Sequence, residues 1–383
     1  MSKILLPLGL VAGVGAGWWL YAGLYAKSYV PEPIHLAPIV HSAYDPTKID
    51  REIALHELRT KNDPEGAIGL SMLSGAYLAK SRERDDDASS WKAEDAARRS
   101  LKVRRRGNIQ AAMKLVQALL EQHRFQDALK SVDDALRISP GDDQAKLLRA
   151  DVLIEIGKYD EAKQQLATVQ IYDATVMAVQ ARWESATGQH EKAFGTWQKA
   201  LKELDAMSHI GEDLLAWYQI KEGTELLKLN RADEAYAQFE SAFAKAPKSY
   251  KATIGLAEAS TARKDYKSAV QWCDKTLAMV TSFKAMALRG EALEEMGDAK
   301  SAQAQYDKMH EAFLAEDARY AKNGKGGPLG VRHPDREFAT FCATQGMFTQ
   351  DGLRAAKRDI QNRPDELAKS NLTKLQTLAM STK

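Results

Sequence analysis

The chain has 383 residues, of which 44% are hydrophobic and 28% are charged. Its 54 basic and 52 acidic residues nearly cancel, which argues against a strong overall attraction to nucleic acid or to anionic lipid. Two cysteines, Cys273 and Cys342, make neither a disulfide framework nor a metal-ligand pair. The 11 prolines and the many helix-forming residues favour an all-α fold.

The chain begins with an apolar stretch of transmembrane length. Residues 4–26 carry no charge, and about 20 such residues are enough for a helix to cross the bilayer core. The C-terminal half of the stretch contains Trp18, Trp19, Tyr21 and Tyr25, which suit the headgroup region. We expect a retained anchor over residues 1–27, with a cytoplasmic N-terminus and the rest of the chain in the periplasm. A signal peptide cleaved near residues 14–16 is the alternative.

Three glycines in this stretch fall on one face of the predicted helix. Gly9, Gly13 and Gly17 are spaced four residues apart, and this spacing lets two membrane helices approach closely. Self-association or docking on a partner helix is one interpretation, and the general abundance of glycine in membrane helices is the other. Residues 28–46 contain four prolines and are expected to form an extended linker.

A short motif recurs six times in the middle of the chain. Each copy ends in an alanine that follows two polar residues: Ala128, Ala162, Ala193, Ala235, Ala269 and Ala302. A small residue stands twelve positions before five of these alanines, at Ala150, Ala181, Gly223, Ala257 and Gly290. A bulkier residue stands four positions after each, at Val132, Leu166, Trp197, Phe239, Cys273 and Tyr306. Small residues at fixed offsets let the two helices of a hairpin approach closely.

This pattern resembles the tetratricopeptide repeat (TPR), a helix-turn-helix unit of about 34 residues. Six copies are expected to begin near Ile109, Asp143, Ala174, Ala216, Tyr250 and Phe283. The longer interval before Ala235 predicts an extended helix or an inserted loop near residues 204–213. The tryptophan that the family carries early in its first helix is absent from all six copies. The resemblance implies a superhelical solenoid with a concave, protein-binding surface.

The flanking segments are predicted to be degenerate copies of the same unit. Residues 47–108 would form an N-terminal helix and a divergent repeat, with a hairpin loop lengthened by the charged stretch 82–87. Residues 109–316 hold the six repeats. Residues 317–383 would form a loop, a degenerate hairpin and an amphipathic capping helix around residues 367–378. The predicted fold is therefore an all-α TPR superhelix with one N-terminal transmembrane helix.

The sequence lacks the common signatures of catalysis and cofactor binding. No phosphate-binding GxxxxGK[ST] loop, HExxH, paired-cysteine zinc spacing or GxSxG elbow occurs. We therefore expect no enzymatic activity, no cofactor and no metal. Arg332, His333 and Asp335 remain the only candidate catalytic cluster, although the proline between the last two favours a loop hinge. Cys273 falls at a bulky inward position of its repeat and is predicted to be a packing residue.

Six basic residues lie close together at the end of the divergent repeat. They are Arg98, Arg99, Lys102, Arg104, Arg105 and Arg106. Such a basic patch can bind an acidic partner, anionic headgroups or nucleic acid. The simpler interpretation is a solvated helix end that faces the acidic residues 85–87. The absence of interleaved aromatic residues argues against binding to single-stranded nucleic acid.

The first helix of each copy predicts a partner groove. Its inward positions are expected to include Met113, Leu147, Ile220, Ile254, Glu258, Glu291, Glu294 and Glu295. The lysine and asparagines with which chaperone-binding members of the family hold a terminal carboxylate are missing at these positions. The expected partner therefore offers apolar side chains and some basic character. The alternative is that these residues pack between neighbouring helices.

Together, these features predict a membrane-anchored TPR scaffold that mediates protein-protein interaction or complex assembly at the bacterial envelope. A permanent structural subunit, held in a membrane complex through the transmembrane helix, is the alternative function. The expected partners are other proteins and the membrane, with no nucleic acid. The sequence does not identify the partner proteins.

Overall fold

The protein is all-α over the part of the chain that can be described. A computed structural model describes residues 45, 47–84, 86–323 and 334–381. These residues form eighteen helices and no strand. The predicted anchor and nearly all of the predicted linker lie outside the described residues, as do Gly9, Gly13 and Gly17. Among the described helices, none is both long enough and apolar enough to cross a bilayer.

Helix α1 precedes eight consecutive hairpins, and α18 follows them. The bounds are α1 Lys48–Asn62, α2 Ala67–Arg84, α3 Asp87–Val103, α4 Ile109–Glu121, α5 Phe125–Ile138, α6 Asp143–Glu155, α7 Tyr159–Leu166, α8 Ala174–Ala186, α9 His190–Asp205, α10 Glu212–Lys228, α11 Ala232–Lys245, α12 Tyr250–Ala262, α13 Tyr266–Leu277, α14 Phe283–Glu295, α15 Ala299–Asn323, α16 Asp335–Gln345, α17 Thr349–Asn362 and α18 Glu366–Ser381. Repeats one to six are the hairpins from α4–α5 to α14–α15.

Five of the six repeats begin at the predicted residue. The exception is repeat four, whose first helix α10 begins at Glu212 rather than near Ala216. The longer interval at this point is taken up mainly by helix, because α9 has 16 residues and α10 has 17. The connection between them, residues 206–211, is short. The extended-helix alternative is therefore the correct one.

The divergent N-terminal hairpin is longer than a plain repeat for a different reason from the predicted one. Residues 82–87 were expected to lengthen its loop, but α2 continues through Arg84 and α3 begins at Asp87. The Asp86 side chain accepts a hydrogen bond from the backbone N–H of Ser89 and so caps α3. At the other end, the segment predicted to hold a degenerate hairpin and a capping helix contains the helices α16, α17 and α18.

Each hairpin is held by a small residue against a bulky one, as the repeated spacing predicts. Phe239 is 1% exposed, and its ring packs against two glycines. A Cβ atom added to Gly255 would lie 2.3 Å from the ring, and one added to Gly223 would lie 3.0 Å from it. A Cβ atom added to Gly290 would likewise lie 2.1 Å from the ring of Tyr306. Larger residues at these glycines would force the helices apart.

The turn inside every plain repeat contains one residue in the left-handed conformation. Three repeats use glycine there, namely Gly157, Gly188 and Gly297, with φ values of 74°, 77° and 83°. The other three use His123, Asn230 and Lys264, with φ values between 55° and 62°. A side chain is strained in this conformation. The turn geometry is therefore kept even where the sequence lacks glycine.

The first helices of the hairpins lie on the inner side of the solenoid. Along most of the stack, the first helix of one hairpin contacts the first helix of the next, as α2 contacts α4 and α10 contacts α12. The second helices of successive hairpins are farther apart. Closer spacing on one side of a stack makes that side concave. A partner that enters the concave side therefore meets the first helices.

Two glycines of repeat three provide a test of this turn geometry. Neither Gly188 in the left-handed turn nor Gly195 inside α9 has any atom that would clash with an added Cβ. We expect Gly188→Ala to lower the free energy of unfolding by about 1 kcal/mol because of backbone strain. We expect Gly195→Ala to raise it by about 0.5–1 kcal/mol because alanine favours helix. Urea denaturation of both variants measures the difference, and equal signs would contradict the assigned conformations.

Candidate partner-binding surface

Three of the residues predicted to line the groove are buried in the hydrophobic core. Met113, Leu147 and Ile220 are 6%, 4% and 8% exposed. Leu147 packs with Val176 of the next hairpin, and Ile220 belongs to a cluster around Phe239. These residues hold hairpins together, because they lie on the side of the first helix that meets its neighbours. Ile254 alone among the apolar groove residues is partly exposed.

The exposed inner positions lie next to the small residues of the motif. We call these positions the inner row: they directly follow the small residue in repeats two to six and are Asp151, Arg182, Thr224, Glu258 and Glu291. All five are partly exposed. Unlike the buried small residues, they change in charge from one repeat to the next. The inner row is therefore the surface on which repeats of the same shape differ in chemistry.

Two cations, Arg182 and Lys221, lie close together in the middle of the inner surface. Arg182 of repeat three forms ion pairs with Asp151 and Glu155 on α6. Lys221 of repeat four lies near Arg182 and Lys251, and it makes no ion pair within the described residues. Its Nζ atom is 5.3 Å from the centre of the Trp217 ring. This contact stabilises the ammonium group only in part.

Lys221 is electrostatically strained. Burial, and then the nearby cations Arg182 and Lys251, lower the pKa of Lys221 to about 8, although Glu155 opposes this effect. An ammonium group without a carboxylate partner costs stability in such a setting. Residues that are kept at a cost in stability often serve binding. An incoming carboxylate would relieve this strain.

Acidic residues follow at the C-terminal end of the inner surface. Glu258 is ion-paired with Lys284, and Glu291 accepts a hydrogen bond from Gln345 at 3.4 Å. Glu294 and Glu295 are exposed, and Glu294 accepts a hydrogen bond from the Tyr306 hydroxyl at 3.1 Å. Burial, with a smaller effect from Glu294, raises the pKa of Glu291. This end of the inner surface is therefore acidic, with Glu258 and Glu291 partly exposed and Glu294 and Glu295 exposed.

Two residues of the basic patch form ion pairs with acidic residues of their own helix. Arg98 pairs with Glu94 at 2.7 Å, and Arg99 lies 3.5 Å from Asp95. Both acids lie one turn earlier on α3, whereas Asp85 lies outside the described residues. The other four residues of the patch are exposed and make no ion pair within the described part of the chain: Lys102, Arg104, Arg105 and Arg106.

Two of the three residues of the C-terminal candidate cluster cannot be placed. Arg332 and His333 lie outside the described residues, and Asp335 is ion-paired with Arg358 at 2.8 Å. Both cysteines are buried, and burial raises the pKa of the Cys273 thiol to about 12. No group of three or more histidine, cysteine, aspartate or glutamate residues in the described ranges is placed to hold a metal ion.

Family comparisons identify the repeats. One tetratricopeptide repeat profile matches residues 119–182, and a second matches residues 92–143 and 220–281. The chain therefore contains tetratricopeptide repeats, and its described part is a TPR-like helical solenoid. Repeats of this kind mediate protein-protein interaction and assembly. Comparison with curated protein sequences finds no match.

Two solved structures, a Cut9–Hcn1 chain and IFIT1, share the fold at low sequence identity. A chain of the APC/C hetero-tetramer Cut9–Hcn1 has a TM-score of 0.52 and 16% identity, over 64% of this chain and 46% of that one. A monomeric mutant of IFIT1 with Gppp-AAAA has a TM-score of 0.57 and 14% identity, over 95% and 79%. PilW, a type IV pilus biogenesis factor, has a TM-score of 0.46 and 16% identity, over 54% and 94%. The chain thus spans about half the length of the Cut9–Hcn1 chain that it matches.

The strained lysine leads to a prediction about stability. We expect Lys221→Met to raise the free energy of unfolding at pH 7 by about 1 kcal/mol, because partial exposure screens much of the cost of the charge. The folded wild type releases this proton near pH 8, below the pH at which the unfolded chain releases it. Wild-type stability should therefore rise relative to the variant as the pH increases above 8. Urea titrations at several pH values test both points.

Lys199→Met is the matched control for this substitution. Lys199 is exposed on α9, the second helix of its repeat, and should tolerate the same change without effect. If Lys221→Met destabilises the protein at pH 7, then Lys221 is a structural residue and its proposed strain is wrong.

Proposed function

We propose that the protein is a membrane-anchored TPR scaffold that binds partner proteins on the inner surface of its solenoid and assembles them at the bacterial envelope. The observation that carries this proposal is the inner row, where identical packing positions are followed by residues of changing charge. A purely structural spacer could be built from uniform repeats. Variation in charge along the inner row is expected if these residues recognise a partner protein.

The charge order of the inner surface defines the partner that fits it. Cations lie at Arg182 and Lys221 in repeats three and four, whereas acids lie at Glu258 and Glu291 in repeats five and six. The complementary segment carries an acidic residue opposite Lys221 and basic residues opposite the acidic end. This revises the expectation that apolar side chains line the groove, because Leu147 and Ile220 are buried in the hydrophobic core.

The membrane setting rests on the sequence alone. Residues 4–26 carry no charge over a length that suits a transmembrane helix, and the linker that follows would hold the repeats away from the bilayer. We place the repeats in the periplasm and regard the protein as non-catalytic. A permanent structural subunit of a membrane complex remains the second candidate, supported by the spacing of Gly9, Gly13 and Gly17.

The binding surface can be tested with two matched arginine substitutions. Thr224→Arg adds a large cation to the inner row without breaking an ion pair, since the Thr224 hydroxyl donates only to the carbonyl of Ile220. Gln164→Arg adds the same side chain to an exposed site on α7, a second helix. We expect Thr224→Arg to reduce co-purification of the native partners by at least about tenfold and Gln164→Arg to leave it unchanged. Quantitative mass spectrometry after gentle detergent extraction provides the measurement.

Equal recovery of partners with both arginine variants would move the binding surface away from the inner row. Substitution of Ile220 by aspartate is a poor alternative test, because Ile220 is buried and the charge would unfold its repeat. Thermal denaturation of both arginine variants confirms that the comparison is made between folded proteins.

The anchor is tested by cell fractionation. We expect the full-length protein to remain in the membrane fraction after a high-salt wash, and a version that lacks residues 1–27 to become soluble. Release of the full-length protein by salt alone would indicate attachment through charges such as the basic patch, and the transmembrane proposal would then be wrong. Recovery of the same partners with the shortened version would assign recognition to the solenoid rather than to the anchor.

A further inference from the structure

The turn between α17 and α18 contacts repeats one and two, which lie far from it in the chain. The guanidinium of Arg363 forms an ion pair with Glu155 at 2.8 Å and lies 4.5 Å from the centre of the Phe125 ring. A Cβ atom added to Gly157 would lie 3.4 Å from the Pro364 carbonyl oxygen. We call residues 363–365 the corner. The corner thus links the C-terminal end of the solenoid to its N-terminal half.

Glu155 is the centre of this contact. Burial alone would raise the pKa of Glu155, but Arg182, Arg363, Arg336 and Lys221 together lower it. These cations come from α8, the corner, α16 and α10. The C-terminal hairpin is therefore near the inner surface of repeats two to four, at the cationic part of the inner surface.

Hydrogen bonds within the C-terminal end of the chain hold the corner in shape. Both carboxylate oxygens of Asp365 accept hydrogen bonds from Arg336, at 2.9 and 3.1 Å. Asp365 also caps α18 by accepting from the backbone N–H of Ala368. This arrangement needs no contribution from repeats one and two. The C-terminal hairpin can therefore keep its structure when the contact with Glu155 is broken.

The contact is polar and does not join the hydrophobic cores of the two ends, although Arg363 lies on the ring of Phe125. The core cluster of the C-terminal end, around Phe313 and Phe338, contains no residue of repeats one or two. The cluster that contains Phe125 likewise contains no residue of the C-terminal hairpin. In addition, the Nε atom of Arg363 is buried without a hydrogen-bond partner. One donor of the contact therefore lacks an acceptor. A contact of this kind can open without loss of the fold on either side.

We propose that the corner is a latch that closes the solenoid across its inner surface and limits access of partners to the cationic part of that surface. In the closed form, Arg363 rests on Phe125 and Glu155. In the open form, Glu155 keeps its ion pair with Arg182, and the inner surface near Lys221 becomes accessible. This inference deepens the proposed function, since the latch controls the same surface that the partner would use.

An engineered disulfide tests whether the latch is closed in solution. A Cβ atom at position 157 would lie 3.5 Å from the Cβ of Asp365, within the range of about 3.5–4.5 Å found in disulfides. Gly157→Cys combined with Asp365→Cys should therefore crosslink when oxidised glutathione accepts the two electrons of the thiols. Gly188→Cys combined with Asp365→Cys is the matched control, because Gly188 has the same turn geometry with open space around it. The natural cysteines, both buried, should not interfere.

Gating is tested by thiol labelling at position 221. In a Lys221→Cys background, Arg363→Ala removes both the ion pair and the ring contact and should raise the rate of labelling by a bulky maleimide about tenfold. Arg354→Ala, on the same C-terminal hairpin, pairs only with Asp351 and Asp317 and should leave the rate unchanged. At about 1 M salt, the Debye length is about 3 Å. The labelling rate of the Lys221→Cys variant should then rise, whereas that of the variant that also carries Arg363→Ala should change little.

The two experiments separate failure of the latch from failure of the proposed function, because neither uses a partner. Crosslinking in the 157/365 pair but not in the 188/365 pair, together with faster labelling in Arg363→Ala, supports the latch. Equal crosslinking in the two pairs would overturn the closed form, as would no crosslinking in either pair when Asp365→Cys alone leaves the labelling rate at position 221 unchanged. If the labelling rate is the same with and without Arg363→Ala, the contact exists but does not gate the inner surface, and the proposal is wrong.

Discussion

The close approach of two helices at a residue without a side chain is the interaction on which the structure depends. Phe239 fills the space above Gly223 and Gly255, and the Tyr306 ring does the same above Gly290. Each ring is buried because no Cβ stands in its way. The same small and bulky positions recur in repeats two to six, so each hairpin covers the apolar face of the next one. No hairpin can bury that face alone.

This packing separates the residues that build the shape from those that face the interior. A small residue at the centre of a first helix must contact its partner helix, so the residue directly after it is rotated by about 100° toward the concave side. Asp151, Arg182 and Glu258 occupy that position in repeats two, three and five. Packing therefore determines where the inner row lies, while it leaves the chemistry of the row free to vary.

The same distinction explains what the sequence could predict. Helix starts such as Ile109 and Tyr250 were predictable because local spacing and small residues define them. The groove was misassigned at Leu147 and Ile220 because an apolar residue near the concave side fits packing and recognition equally well, and only burial separates the two. The group of cations formed by Arg182, Lys221 and Lys251 was missed because three separate repeats contribute to it. A signal was present, since an unpaired lysine directly after the buried position 220 is costly to keep.

Apolar stacking and the charged corner also differ in how they respond to conditions. Stacking along the solenoid buries small and bulky residues in interlocking pairs and cannot be undone one pair at a time without loss of the fold. The contact between Arg363 and Glu155 adds little apolar area, and salt and competing charges weaken it. A chain built in this way is rigid within its hairpins and adjustable where its ends meet. A repeat scaffold can thus change access to its inner surface while every repeat keeps its structure.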